Sequence, residues 1–156
     1  MSEAPKPEWW FYHLQQTSLE RAVGPLLEKC MERGWRVLAI SPDASRRAAL
    51  DEALWTYDDQ SFLPHGQAEA DGLAPDAQPI LISADTTNQN HASVALLMDG
   101  VDLPVDAPFK RCMVMFDDGD GATRQKAREQ FKAAKDAGQA ARYFQQSGRG
   151  WKEAGT

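Results

Sequence analysis

Apolar residues fall in short blocks separated by amphipathic stretches. Residues 9–14 (WWFYHL) form an unbroken aromatic and aliphatic run. The run is too short for a helix and rich in side chains that pack on a pleated surface, so it reads as a buried strand. Thr17-Ser-Leu-Glu20 has the form of a capping box, with Thr17 as N-cap and Glu20 reaching back. The helix it opens carries Leu19, Val23, Leu26, Leu27, Cys30 and Met31 on one stripe and stops at Gly34. Gly24-Pro25 inside it predicts a kink. Residues 35–41 (WRVLAIS) read as a second buried strand, and Pro42-Asp43 opens a helix through Leu54 or Trp55 with Asp43 as N-cap. This β-α-β-α order with short connections predicts a parallel sheet with helices on its faces.

A polar stretch follows over residues 57–79, with Ser61-Phe-Leu-Pro-His65 inside it. A loop of that length is too long to be idle in a compact domain, so it reads as functional or as a local excursion. Residues 80–83 (ILIS), 94–98 (VALLM) and 110–116 (KRCMVMF) predict three further strands, the last two joined through a turn punctuated by Pro104 and Pro108. Residues 117–121 (DDGDG) turn into a helix over 122–138, and 141–145 (ARYFQ) read as one more short strand. The expected organisation is a flexible leader over 1–8, one α/β domain over 9–145, and a loosely ordered tail over 146–156 anchored, if anywhere, by Trp151. No internal repeat is apparent.

Composition sharpens this picture. The chain has 156 residues, 42% of them hydrophobic, enough for one domain with a real core. No run approaches the ~18–20 apolar residues of a membrane span, and the first eight residues do not read as a signal peptide, so a cytoplasmic location is expected. Cys30 and Cys112 have no metal-site spacing and read as buried free thiols. A net charge of −6 argues against broad nucleic-acid binding.

The helix over 122–138 is the local exception. Arg124, Arg128, Lys132 and Lys135 recur at i, i+4, i+8 and i+11 and so share a face, with Phe131 at its edge. Two readings stand: a solvated face with Phe131 turned into the core, or a docking site for an acidic partner with an apolar end.

Enzyme-like motifs are largely missing. No phosphate-cradling Gly-x-x-x-x-Gly-Lys-Ser/Thr occurs. Gly119-Asp-Gly121 precedes a helix, but Arg124 stands where a dinucleotide site needs its third glycine, and Asp117, Asp118 and Asp120 would repel a pyrophosphate. Read as a calcium loop starting at Asp118, the same stretch puts Ala122 at a ligand position and Thr123 at the glycine position. His13, His65 and His91 are scattered singly and read as structural. No functional nucleotide-binding loop, cofactor, metal or catalytic set is expected.

Two stretches together carry a resemblance. One is residues 50–55 (LDEALW) followed by Ser61-Phe-Leu-Pro-His65; the other is Ala127-Arg-Glu-Gln-Phe-Lys132 running to Gly138. With residues 11–14 (FYHL) and 34–38 (GWRVL), they resemble the chi subunit family of bacterial DNA polymerase III over about residues 9–145. The resemblance implies a Rossmann-like three-layer α/β/α sandwich with a mostly parallel sheet and no working nucleotide site. It implies a non-catalytic accessory subunit of the clamp loader that binds the acidic C-terminal tail of single-stranded-DNA-binding protein, which ends in Pro-Phe and a free carboxylate. Contact with DNA would then be indirect. By match to the family motif, Arg128 would hold the terminal carboxylate, Phe131 would wall the pocket and Lys132 would meet upstream acids, with Arg124 and Lys135 extending the field. Trp55, Phe62 and Pro64 would form the face for the psi subunit, or for a helicase using the same surface. The chain departs from the family where Ala134 and Gln139 replace common aromatics and Phe131 replaces a commoner Tyr. The rival readings are a small nucleotide-dependent Rossmann-type enzyme and a direct DNA binder using the basic helix.

Overall fold

The computed structural model describes residues 7–57, 63–70, 72–147 and 150–154. Its elements run β1 (Glu8–Leu14), α1 (Leu19–Glu32), β2 (Val37–Ile40), α2 (Ala44–Trp55), β3 (His65–Gln67), β4 (Ile80–Ser83), β5 (Val94–Leu97), β6 (Arg111–Asp117), α3 (Gly121–Asp136), β7 (Ala141–Ser147) and β8 (Gly150–Glu153). The eight strands form one sheet in the order β3-β4-β2-β5-β6-β1-β7-β8. Every pairing is parallel except the last, in which β8 returns antiparallel along β7.

Two apolar clusters make this a three-layer sandwich. On one face, α1 and α2 bury Leu19, Val23, Leu27, Leu50 and Leu54 against Tyr12, Leu14, Ile80, Leu96 and Met115. On the other, α3 lays Ala127 and Ala134 against Trp9, Phe11, Leu97 and Val114. Strands covered on both faces have no polar side to alternate with, which is why β2 and β5 are continuous apolar runs and β4 is apolar up to Ser83 at its end. Polar bonds tie the layers where β2 and β5 end. Ser41 donates its hydroxyl to Asp99 Oδ2 at 2.6 Å, and Arg46 joins Asp99 to Glu20 of α1.

Several expectations change. Ser18, not Thr17, caps α1, its hydroxyl accepting from the Arg21 N–H at 3.4 Å, and Glu20 serves the Arg46 pair instead of reaching back. Thr17 is drawn off by Gln146, whose amide donates to its hydroxyl at 2.7 Å. Asp43 caps α2 as expected. The stretch over 57–79 is not all loop: His65–Gln67 pair with β4 as an edge strand, and Pro75–Ala77 form a 3-10 turn. Glu8 already belongs to β1, and Pro7 is buried, so the part of the leader that is described is structured. The described part of the tail is not loose either: β7 extends to Ser147, and Gly150–Glu153 pair antiparallel with it as β8. Alternation alone misses this hairpin because Gln145, Gln146 and Ser147 are polar on both faces.

Candidate interaction surfaces

α3 follows a cap and a small-residue seam. The Asp120 carboxylate accepts from the N–H groups of Ala122 and Thr123, satisfying two donors of the first turn. Ala127 and Ala134, seven residues apart, let the helix lie close on the sheet. Between them Gln130 is buried and donates to the Val101 carbonyl at 3.0 Å. That orientation turns Arg124, Arg128, Lys132 and Lys135 away from the sheet.

Phe131 is half-buried and meets Phe11 of β1 edge-on, centroids 5.4 Å apart, with Tyr143 of β7 at 6.3 Å. Lys135 Nζ stands 5.7 Å from the Phe131 ring centre. Tyr143, which the sequence did not single out, joins the basic face to the sheet. Its hydroxyl is 2.6 Å from His13 Nδ1, and His13 Nε2 is 2.7 Å from Asp118 Oδ1. Burial raises the Tyr143 pKa and the Arg128 charge opposes that rise, which sets Arg128 within electrostatic reach of this hydroxyl. Arg124 is half-occupied: its Nη1 donates to the Asp118 carbonyl at 3.3 Å and lies 3.7 Å from Asp118 Oδ1. Arg128, Lys132 and Lys135 have no ion pair among the described residues. The structure thus sets Phe131 against Tyr143, with Arg124 and Arg128 within electrostatic reach of the Tyr143 hydroxyl and Lys135 over the Phe131 ring, while Lys132 is exposed further along the stripe. A fork-shaped cation beside a partly exposed ring pair can hold a carboxylate and an apolar side chain at once.

The two departures have structural roles. Ala134 is fully buried in the helix–sheet seam, and Gln139 is buried with Nε2 donating to the carbonyls of Pro7 and Val105 at 3.1 and 2.6 Å. Neither position faces the basic stripe. The aromatic partner of Phe131 comes from Tyr143 on β7 instead, in register with Phe11. Only the strand pairing reveals this, because nothing in the local sequence links positions 131 and 143.

The second candidate surface lies at the far edge of the sheet. Trp55, the last residue of α2, is 61% exposed, and its ring meets the buried His65 ring at 4.9 Å. His65 is fixed by a 2.7 Å contact from Nδ1 to the Leu63 carbonyl, with Nε2 3.2 Å from Asp51 Oδ1 but not aligned for a hydrogen bond. Pro64 is half-buried beside it, and Phe62 lies outside the described residues. Among the described residues no group of three His, Cys, Asp or Glu could hold a metal, and no helix is long and apolar enough to cross a membrane. Cys30 and Cys112 are free and buried, and burial pushes the Cys112 thiol up to about 12.

Fold and surfaces together define an α/β/α domain of the doubly wound, mostly parallel type that carries a basic–aromatic helix face and an exposed aromatic edge. The chain belongs to a family with that architecture: the model of the "DNA polymerase III chi subunit, HolC" family matches residues 7–142. It is 32% identical over 105 residues to a "Probable DNA polymerase III subunit chi" of Rickettsia prowazekii, covering 67% of this chain and 62% of that protein. It is 28% identical over 118 residues to the "DNA polymerase III subunit chi" of Pseudomonas aeruginosa, covering 72% of this chain and 76% of that one. The match to the Rickettsia relative thus spans less than two thirds of that protein's length.

Proposed function

We propose that this chain is a non-catalytic accessory subunit of DNA polymerase III in replication. It joins the clamp-loader and polymerase assembly to single-stranded-DNA-binding protein by holding that protein's acidic C-terminal tail on the face of α3. The observation that carries the reading is Arg128, exposed and without an ion pair among the described residues, on the helix that carries Phe131 and within electrostatic reach of Tyr143, in a chain whose net charge is −6. Arg128 takes the terminal carboxylate as a fork, the ring pair takes the terminal Phe, and Lys132, Lys135 and Arg124 supply the field for upstream aspartates. Trp55 and Pro64, with Phe62, form the face for a psi subunit or a helicase, since an exposed Trp on a rigid helix end is a favourable anchor.

The test is titration with a fluorescent peptide copying the last ten or so residues of the cognate single-stranded-DNA-binding protein. Binding should saturate, weaken with salt, and fall at least tenfold in Arg128→Ala or when the peptide lacks its terminal Phe. Binding that survives Arg128→Ala would remove the site from α3, and no binding at any salt would remove the function.

A further inference from the structure

The opposite face of the sheet carries a second basic–aromatic site, separate from α3. A cavity of about 790 Å³ lies between α1, the sheet and the β7–β8 hairpin. Trp10, Trp35 and Trp151 line it, together with Arg21, Lys29, Arg33 and Arg111; no carboxylate does. Arg111 is 8% exposed, and its guanidinium lies 3.5 Å from the centre of the Trp10 ring and 5.1 Å from that of Trp35. Its Nε and the Trp10 Nε1 are both buried with no hydrogen-bond partner among the described residues. Arg111 Nη2 lies 3.5 Å from Glu8 Oε2, so its charge is met. The two orphaned N–H donors inside the aromatic box still call for acceptor atoms, and the unpaired positive charge of the cleft is that of Arg21, Lys29 and Arg33.

We infer that this cleft binds single-stranded nucleic acid, with bases stacking on its tryptophans and phosphates tracking α1. Arg21, Lys29 and Arg33 are exposed and have no ion pair among the described residues. Twelve residues separate the first from the last, a spread of about 18 Å along a helix. A peptide's terminal carboxylate needs one such cation; a row of them facing several ring faces suits a repeating backbone with repeating planar groups. The acidic total of the chain confines binding to this cleft and keeps it weak. The hairpin strand carrying Trp151 lies beyond residue 142, where the family match ends, so this wall is not part of what the family model describes.

Fluorescence polarisation of the full chain with a labelled oligothymidylate of about 15 nucleotides, a length within the usual single-strand footprint, tests the proposal. Saturable binding should quench tryptophan emission. With three phosphates neutralised, the slope of log affinity against log salt is about −2, so a fourfold rise in salt costs roughly 20-fold. The Arg21→Glu/Lys29→Glu/Arg33→Glu variant changes only exposed side chains and should lose at least tenfold. Trp151→Ala should lose most of the quenching, and Arg128→Ala should bind as the parent does, which separates this site from the tail site on α3. Oligonucleotide binding that ignores the triple reversal, or that is lost in Arg128→Ala, would overturn the proposal. Thymidine monophosphate competing as well as the strand would overturn it in favour of a free nucleotide. An acidic peptide binding in this cleft while the oligonucleotide does not would overturn it in favour of a peptide.

Discussion

Gly24 is where helix propensity and packing pull in opposite directions, and the structure decides the sign. Replacing an interior helical glycine by alanine ordinarily stabilises by about 1 kcal/mol. At position 24, however, a Cβ would stand 2.5 Å from Tyr57 Cδ2, 2.7 Å from Cε2 and 3.1 Å from Cγ. Carbon atoms pack at about 3.5–4.0 Å, so the ring must retreat by roughly 1 Å. It is not free to do so cheaply, because Tyr57 donates its hydroxyl to Glu28 Oε2 at 2.7 Å, one turn further along the same helix. Overpacking of this kind costs about 1–3 kcal/mol, and loss of a hydrogen bond to a charged group about 1.5–3. Set against the propensity gain, Gly24→Ala should destabilise by about 1–2 kcal/mol, or a few degrees in Tm for a chain of this size. The decisive assay is a double-mutant cycle by urea unfolding. In a Tyr57→Ala background the obstacle is gone, and the same Gly24→Ala change should stabilise by about 0.5–1 kcal/mol. A Gly24→Ala variant more stable than the parent, or a change of the same sign in both backgrounds, would refute the steric argument.

The other predictions are smaller in scope. Asp120→Ala should cost about 1 kcal/mol through loss of the α3 cap, and Asp120→Asn only a fraction of that; chemical denaturation of the pair separates capping from charge. Burial pushes the Cys112 thiol up to about 12 and raises that of Cys30 against the opposing charges of Arg111 and Arg33, so neither should react with iodoacetamide at pH 8 until the chain unfolds. Burial tends to raise the Asp102 pKa, but its bonds from Lys126 and Gln130 prevail and hold it below the usual carboxylate range. That contribution to stability is present above the unfolded value, about pH 4, and lost as pH falls through the folded value, so Lys126→Met should lower stability slightly at pH 7 and progressively less as acid protonates Asp102.

Period and length made most of the sheet legible. Continuous apolar runs of four residues bounded by turn residues can only be strands buried on both faces, and the mixed aromatic run at residues 9–14 is too short to be anything else. What escaped was set by partners rather than by neighbours. β3 has only three residues and exists because β4 offers it an edge; β8 exists because β7 does. The α1 cap moved from Thr17 to Ser18 because Gln146, 129 residues away, holds Thr17. The stripe on α3 could be read from its spacing, but the ring that completes it could not. Tyr143 reaches Phe131 only because β7 crosses over to lie beside β1.

Strand β1 explains why one small domain can carry two surfaces of similar chemistry without merging them. Its side chains alternate across the sheet. Phe11 and His13 face α3, where they meet Phe131 and Tyr143, while Trp10 and Tyr12 face the cleft beside α1. The aromatic run is therefore not simply core: each face receives its rings from alternate positions of the same strand, flanked by β6 and β7. Because the sheet itself stands between them, ligands on the two faces cannot touch. Electrostatics carries little across that distance at physiological salt, where exposed charges are screened within about 8 Å. The tail peptide and the oligonucleotide should thus bind independently, each with unchanged affinity when the other saturates its site. Competition between them would mean that both occupy one surface, and the assignment of separate faces would fall.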